Sequence, residues 1–214
     1  MAQGDEAGRQ FPGVILAGGL ASRMGGGDKG LRLLAGRRLV DHGIARLAPQ
    51  VARLAINANG DPARLADLGL PVIADPVPGR PGPLAGVLAA MEWGAGLGAD
   101  AVVTAPADTP FLPRDLVARL RAVADGVPGG LAIAASPDAA GRLRAHPTCG
   151  LWPVALRAAL RRDLSGGQRR VWHWAEAQGA ALAVFDNGGN DPFFNVNTQD
   201  DLAIAEAWLR AKGG

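Results

Sequence analysis

Short runs of apolar residues alternate along this chain with longer stretches in which apolar residues recur every three or four positions. The short runs are typical of buried strands, and the longer stretches are typical of helices that cover a sheet. The pattern predicts strands at residues 13–16, 54–57, 71–74, 101–105, 131–135, 143–151 and 180–185. It predicts helices at residues 38–47, 84–97, 113–124, 154–164, 168–178 and 198–212, with a further short helix opening at Asp61 and Pro62.

This order of elements predicts the fold class. Strands that alternate with helices form parallel sheets with right-handed crossovers and helices on both faces. We therefore expect an α/β fold with three layers, α/β/α, around a mostly parallel central sheet. Ligands of such sheets bind beyond the carboxyl ends of the strands. We therefore expect the binding and catalytic residues in the loops after the first, third and fourth predicted strands.

Composition narrows the class of protein without naming a ligand. The chain has 214 residues, of which 48% are hydrophobic, with a formal net charge of +2. This length predicts one domain at residues 11–214, preceded by a flexible polar tail at residues 1–10. The basic residues are scattered, so neither nucleic acid nor a membrane is expected as a partner. No apolar run approaches the roughly 20 residues that span a bilayer.

The sequence also indicates the cellular compartment and the role of the single cysteine. The first residues lack the apolar core of a secretory signal, and we expect a cytoplasmic protein. A single cysteine, Cys149, can form no internal disulfide, which agrees with a reducing compartment. Its place in an apolar run predicts a small buried strand residue rather than a nucleophile.

The loop after the first strand is rich in glycine and carries two cations. Gly18 and Gly19 stand at the end of the strand, where glycine allows a nucleotide to approach the main chain closely. Successive backbone N–H groups in such a turn bind anions, and Arg23 and Lys29 add a guanidinium fork and a point charge. We therefore interpret the loop as a triphosphate site with Arg23 and Lys29 as candidate catalytic residues.

Three other interpretations of this loop are less favoured. A Walker A motif needs Ser or Thr after the lysine, but Gly30 follows Lys29. Residues 25–30 match the spacing GxGxxG, but they lie well beyond the strand end where the dinucleotide motif begins. A plain surface loop is the third alternative, and the combination of glycines with Arg23 and Lys29 argues against it.

The same loop resembles a known family. Residues 16–30, LAGGLASRMGGGDKG, resemble the signature LAGGxxxRMGGxDKG of the molybdopterin nucleotidyltransferases, in their guanylyltransferase branch. The resemblance extends over about residues 12–205 and is weakest at 125–190. It implies a Rossmann-like nucleotidyltransferase fold whose N-terminal half binds the NTP and whose C-terminal half binds the acceptor. Leu16, Ala17, Gly18 and Gly19 would contact the nucleotide.

Asp108 follows the strand at residues 101–105, within the segment TAPADTPFLP. A carboxylate that faces a phosphate loop repels the substrate unless a cation lies between them, and Mg²⁺ is the usual cation. A helix-capping role is the alternative, although the distance to Pro113 is too long for a direct cap. The segment also resembles the metal-binding segment of the family. Asp108 is thus the candidate Mg²⁺ ligand, a nucleotide contact and a catalytic residue.

The loops after the second and third strands add three candidates. Asp75 ends the third strand, where it could hydrogen-bond ribose or base, or fix the loop. The segment PGPLAG, residues 81–86, resembles the guanylyltransferase pattern, which implies nucleotide contacts for Asp75 and Gly82. Asn57 matches a nucleotide contact of the family, but it could equally be a turn residue before Asn59 and Gly60.

Acceptor contacts are predicted near the C-terminus. The segment NDPFFNVNTQDDL resembles the family's FxNVNTxxDL, and its amides at Asn195 and Asn197 suit a pterin edge or a metal-bound water. Both could instead tie down the turn before the last helix. Arg142, Arg144 and His146 are either cations for an anionic acceptor or ordinary solvated charge.

The resemblance implies one reaction, and two alternative functions have to be distinguished from it. It implies transfer of GMP from GTP to molybdenum–molybdopterin with Mg²⁺ as cofactor and pyrophosphate as the second product. Upstream cofactor-synthesis proteins and apo-molybdoenzymes would be candidate protein partners. A molybdopterin cytidylyltransferase is the nearest rival, and a non-catalytic carrier of GTP or molybdopterin is a rival of another class. Pyrophosphate release separates the carrier from the enzymes.

Overall fold

The computed structural model describes residues 11–18, 29–78, 82–138 and 140–212. In chain order, the strands of these residues are β1 (Gly13–Leu16), β2 (Leu33–Leu34), β3 (Arg37–Arg38), β4 (Leu54–Asn57), β5 (Val72–Ile73), β6 (Ala101–Pro106), β7 (Ala132–Pro137), β8 (Leu143–Pro153) and β9 (Ala181–Val184). The helices are α1 (Leu39–Leu47), α2 (Pro83–Gly96), α3 (Leu116–Ala124), α4 (Arg157–Ser165), α5 (Val171–Ala177) and α6 (Gln199–Lys212). Short 3₁₀ helices lie at Lys29–Leu31, Ala48–Gln50, Pro62–Leu68 and Val154–Leu156.

A seven-stranded sheet in the order β5-β4-β1-β6-β8-β7-β9 forms the centre. Parallel pairing joins β1 to β4 and β6, β4 to β5, and β7 to β9. The prediction of a mostly parallel sheet is therefore confirmed.

One strand departs from the parallel pattern. β8 is antiparallel to both of its neighbours, β6 and β7. No helix separates β7 from β8, and the connection at residues 138–142 is too short for the crossover that parallel strands need. This hairpin is the antiparallel part that a mostly parallel sheet leaves room for.

Helices cover both faces of the sheet, as the three-layer prediction requires. Adjacent residues of β1 point to opposite faces, so that Ile15 packs in one core with residues of α1 and α3, and Val14 packs in another with α2, α4 and α5. A third cluster joins α6 to the hairpin β2–β3 and includes Leu34, Phe111 and Val196. This cluster holds the segment before α6 against the body of the protein.

The structure shifts several predicted boundaries. The helix expected from Pro113 begins at Leu116, because Pro113 lies in a turn whose carbonyl accepts from Leu116 N. The hairpin β2–β3 was not predicted. Its turn places Ala35 and Gly36 at φ 49° and 79°, the conformation that two-residue hairpins favour, but it lacks the usual Asn-Gly signal.

The predicted starts of two helices and the predicted strand position of Cys149 are confirmed. Asp61 accepts a hydrogen bond from Ala63 N, and Thr198 and Asp201 exchange hydrogen bonds at the start of α6. Cys149 is buried in β8, and burial raises the pKa of its thiol. Among the described residues, no helix is long and apolar enough to cross a membrane.

Candidate active site

A cleft of about 410 Å³ opens where β1, β4 and β6 end. The predicted nucleotide-binding residues that the structure describes all line this cleft: Leu16, Ala17, Gly18, Lys29, Asn57, Asp75, Gly82 and Asp108. Gly19 and Arg23 lie outside the described residues. The carboxyl ends of parallel strands meet at one edge of the sheet, which explains how residues so far apart in sequence come together.

Lys29 and Asp108 form an ion pair at the floor of the cleft. Lys29 Nζ lies 2.5 Å from Asp108 Oδ2, and both side chains are mostly buried. Gly30 allows this approach, since a Cβ atom there would lie 3.1 Å from Ala107 Cβ. The ammonium also donates to Asn197 Oδ1. The ion pair thus connects the nucleotide loop with the segment before α6.

The segment that carries Asn195 and Asn197 is bonded directly to the loop of Asp108. Val196 N donates to the carbonyl of Asp108 at 2.9 Å, and Thr109 Oγ1 donates to Asn195 Oδ1 at 2.6 Å. The backbone of Asn197 is meanwhile bonded to Asp201 at the cap of α6. Both amides therefore face the site while their segment also caps the last helix, so the two interpretations of this segment are compatible.

Asn57 and Asp75 form a second polar cluster on the opposite wall. Asn57 is buried in β4 rather than in a turn, and its Nδ2 donates to Ile73 O and to Asp75 Oδ1. The other carboxylate oxygen of Asp75 accepts from Asn59 Nδ2 at 2.7 Å. Asp75 therefore fixes the loops around the cleft, and each of its carboxylate oxygens can accept a further hydrogen bond.

The amino end of α2 completes this wall. Gly82 precedes the helix with φ 87°, a conformation that favours glycine, and Pro83 occupies the first turn. Gly86, one turn further along, packs against Asn57. A Cβ atom at Gly86 would lie 2.5 Å from Asn57 Oδ1, so this position accepts glycine alone without movement. The positive end of the helix dipole faces the cleft, which favours an anionic ligand.

A second cavity of about 320 Å³ adjoins the first. The two share Pro106, Thr148 and Asn195 as wall residues. Arg144, His146 and Asn197 line only the second cavity. Arg142 lines neither; its guanidinium pairs with Asp138 and its side chain is 82% exposed. The structure thus places Arg144, but not Arg142, at a cavity, a difference that the sequence did not indicate.

His146 is buried at the base of the second cavity. Its Nε2 lies 2.7 Å from Ser136 Oγ, and its ring stacks on Phe193 with the centroids 4.4 Å apart. Burial lowers the pKa of His146 to about 4; Arg144 acts in the same direction and Asp191 opposes it. The imidazole is therefore neutral near pH 7, so it adds no positive charge to the cavity.

The donor set at Asp108 fits a Mg²⁺ ion. Among the described residues, no three His, Cys, Asp or Glu side chains gather closely enough to hold a metal. A Mg²⁺ ion here would therefore take one carboxylate from the protein, and its other ligands would be phosphate oxygens and water. This is the usual pattern for Mg²⁺ at phosphate sites. Lys29 donates both to the Asp108 carboxylate and to Asn197 Oδ1, so this amide oxygen lies near the same carboxylate.

The fold and this cleft define a class of nucleotide-transferring domain. The family model described as MobA-like NTP transferase domain matches residues 13–182. The chain belongs to this family.

Curated and solved relatives agree with that assignment. The molybdenum cofactor guanylyltransferase of Rhodopseudomonas palustris (strain BisB5) is 53% identical over 198 residues, which cover 91% of this chain and 92% of that protein. The solved molybdopterin-guanine dinucleotide biosynthesis protein A of Archaeoglobus fulgidus has a TM-score of 0.70 at 21% identity, over 94% of this chain and 100% of that one. The 2-C-methyl-D-erythritol 4-phosphate cytidylyltransferase of Thermus thermophilus has a TM-score of 0.66 at 20% identity. The match covers 94% of this chain and 99% of that one. At such identities the two structures show the shared fold alone.

Sequence reasoning missed several residues that shape the site. Thr109, Asn59 and Gly86 hold site residues in place, and Ser136 and Asp191 hold His146 and Arg144. Thr109 lies inside the recognised segment TAPADTPFLP and Gly86 inside PGPLAG, so these motifs themselves could have identified them. Ser136 stands in no such motif, and Asp191 lies in the segment NDPFFNVNTQDDL, just before the part that matches the family pattern.

Proposed function

We propose that this protein transfers GMP from GTP to the phosphate of molybdenum–molybdopterin, which forms the guanine dinucleotide cofactor and releases pyrophosphate. Relatives about half identical to this chain over nine-tenths of its length carry the name molybdenum cofactor guanylyltransferase. Their similarity supports the substrates, and the arrangement of the site supports the chemistry.

One observation supports the transfer most directly. Two cavities share a wall, and Lys29 bonds at that wall both to Asp108 of the first cavity and to Asn197 of the second. A reaction between two bound substrates needs such a junction, where an atom of each can approach the other. A carrier of one ligand needs no second cavity.

The residues at the junction can promote transfer by position and charge. An oxygen of the acceptor phosphate forms a bond to the α-phosphorus of GTP, while the bond from the α-phosphorus to the bridging oxygen of pyrophosphate breaks. The attacking phosphate is ionised near pH 7, so no general base is required. Lys29 would stabilise negative charge on the triphosphate, and Arg23 is proposed to act with it.

Mg²⁺ is the proposed cofactor. Asp108 would hold it, and the bound ion would supply charge neutralisation for the phosphates. Asn57, Asp75 and Gly82 shape the wall where the guanosine would lie, and Asn195 and Asn197 would face the acceptor. These roles agree with the placement of all five residues at the walls of the two cavities.

The test is pyrophosphate release with Mg²⁺ and molybdenum–molybdopterin, measured in parallel with GTP and with CTP. We expect release with GTP only. Release with CTP only would contradict the choice of nucleotide and indicate a cytidylyltransferase. Release with neither would contradict the enzyme and favour the carrier.

Two aspartates that flank β6, Asp108 after it and Asp100 before it, sharpen this test. Asp108→Asn should lower the turnover by at least about a hundredfold, because the charge beside the phosphates is lost while the shape is kept. Asp100→Asn changes an exposed aspartate at the other end of β6 and should leave turnover unchanged. Equal rates for both variants would remove Asp108 from the mechanism.

The same proposal includes the cellular location of the protein and its protein partners. It places the protein in the cytoplasm, with upstream cofactor-synthesis proteins and apo-molybdoenzymes as partners. Cell fractionation followed by affinity purification would test this, and recovery of the protein from a membrane or secreted fraction would contradict it.

A further inference from the structure

The second cavity carries one permanent positive charge. Among the described residues that line it, Arg144 is the only arginine or lysine, and the neighbouring His146 is buried. The other walls are formed by Phe193 and Phe194 and by the amides of Asn195 and Asn197. Polar groups form most of the surface of this cavity, and together with one cation they suit a polar ligand that bears an anionic group.

The guanidinium of Arg144 has more N–H donors than hydrogen bonds within the described residues. In the part of the chain that the structure describes, its one hydrogen-bond partner is Asp191, with Nη2 3.2 Å from Oδ2. A guanidinium has five N–H donors, and the side chain of Arg144 is 58% exposed. The remaining donors are therefore free to bind a ligand in the cavity.

A network of side chains fixes the position of this guanidinium. Asp191 Oδ1 accepts from Phe193 N at 2.9 Å and from Ser136 Oγ at 3.3 Å. Ser136 in turn bonds to His146, whose ring stacks on Phe193. The network joins β7, β8 and the segment before α6, so the cation is held against the acceptor side of the site.

We propose that Arg144 binds an anionic group of the acceptor, with Ser136, His146 and Asp191 as positioning residues. This inference rests on the proposed function, because it identifies the second cavity as the place of the acceptor. Asn197 lines that cavity and contacts Lys29. An acceptor held at Arg144 therefore lies next to the junction where the α-phosphate is expected.

The chain supplies a matched control two residues away. Arg142 lies just before the same strand and also pairs with an aspartate, Asp138, but it lines neither cavity. Arg144→Gln should raise the KM for molybdenum–molybdopterin about tenfold or more, because a charge-assisted hydrogen bond is lost. The KM for GTP should stay within about twofold of its original value. Arg142→Gln should change neither constant.

The conservative variant separates charge from shape. Arg144→Lys keeps the positive charge but loses the fork, so its KM for the acceptor should lie between those of the unaltered protein and Arg144→Gln. Equal effects of Arg144→Gln and Arg142→Gln, or an effect on the KM for GTP alone, would overturn the inference.

Equilibrium dialysis with molybdenum–molybdopterin, in the absence of GTP, distinguishes this inference from the proposed function. Weaker binding by Arg144→Gln than by Arg142→Gln supports it even if the unaltered protein releases no pyrophosphate. If the unaltered protein transfers GMP but all three proteins bind the acceptor equally, the inference fails while the function stands. If the unaltered protein neither binds the acceptor nor releases pyrophosphate, both fail.

Discussion

The two cavities meet at one wall but are held together differently. The first is bounded by the ends of parallel strands and by the start of α2, where a Cβ atom added to Gly86 would lie 2.5 Å from Asn57 Oδ1. The second lies against the antiparallel strand β8 and depends on side chains around the buried His146. The first should thus be sensitive to added volume, and the second should be sensitive to protonation.

The largest expected effect concerns protonation of His146, the buried histidine of the second cavity. Burial lowers the pKa of His146 to about 4, whereas an exposed histidine titrates near 6.5. Between these values the unfolded chain binds a proton that the folded protein does not, so stability falls as the pH is lowered from 6.5 to 4. This one residue should lower the free energy of unfolding by up to about 3 kcal/mol across that window.

Denaturant unfolding from pH 4 to pH 7 would measure this effect. His146→Gln should show a smaller loss of stability across the window than the unaltered protein. His173→Gln, which changes an exposed histidine of α5, should keep the full loss. Identical pH profiles for His146→Gln and the unaltered protein would contradict the buried neutral imidazole.

A smaller effect is expected from added volume in the first cavity. Gly86→Ala places a methyl group 2.5 Å from Asn57 Oδ1, so Asn57 must move and its bonds to Ile73 and Asp75 weaken. We expect a loss of about 2 kcal/mol in the free energy of unfolding and a raised KM for GTP.

Gly96→Ala is the matched substitution in the same helix. No atom lies within 4 Å of the added Cβ there, so stability should be unchanged or slightly increased. Thermal unfolding together with the KM for GTP would measure both variants. A Gly86→Ala protein as stable and as active as Gly96→Ala would show that Asn57 does not need its present position.

The smallest effect is expected at Thr109, which lines the second cavity and bonds to Asn195 of the shared wall. Thr109→Val keeps the shape of a buried side chain and removes its hydrogen bond to Asn195. We expect a loss of about 1 kcal/mol in stability and a rise of a few-fold in the KM for the acceptor. Steady-state kinetics with each substrate varied in turn would measure this. A rise for GTP alone would assign Asn195 to the nucleotide side.

The difference between the cavities also explains what sequence could predict. Asn57, Asp75 and Asp108 stand at or just after the ends of predicted strands, and parallel strands bring such positions to one edge. Their meeting in one cleft is therefore predictable from strand boundaries alone. Their individual roles, like those of Arg23 and Gly19 and the division into tail and domain, remain predictions.

The second cavity was less accessible to sequence reasoning. The contacts of Ser136 with His146 and of Asp191 with Arg144 depend on the register of β7 against β8 and on a distant loop. Neither register nor loop path follows from hydrophobic periodicity, and the bulge between Ile133 and Ala134 shifts the register further. The sequence could therefore propose Arg144 and His146 but could not distinguish Arg144 from Arg142.

The hairpin of β7 and β8 has a consequence for how the chain folds. Its strands are joined by the short connection at residues 138–142, so closing it costs little loop entropy. The first cavity instead needs β1 and β6 to pair, which brings Gly13 to Val103 across a long intervening chain. Contacts between neighbouring segments form faster than contacts between distant ones. We therefore expect the hairpin beside the second cavity to form earlier than the first cavity, which requires distant strands to pair.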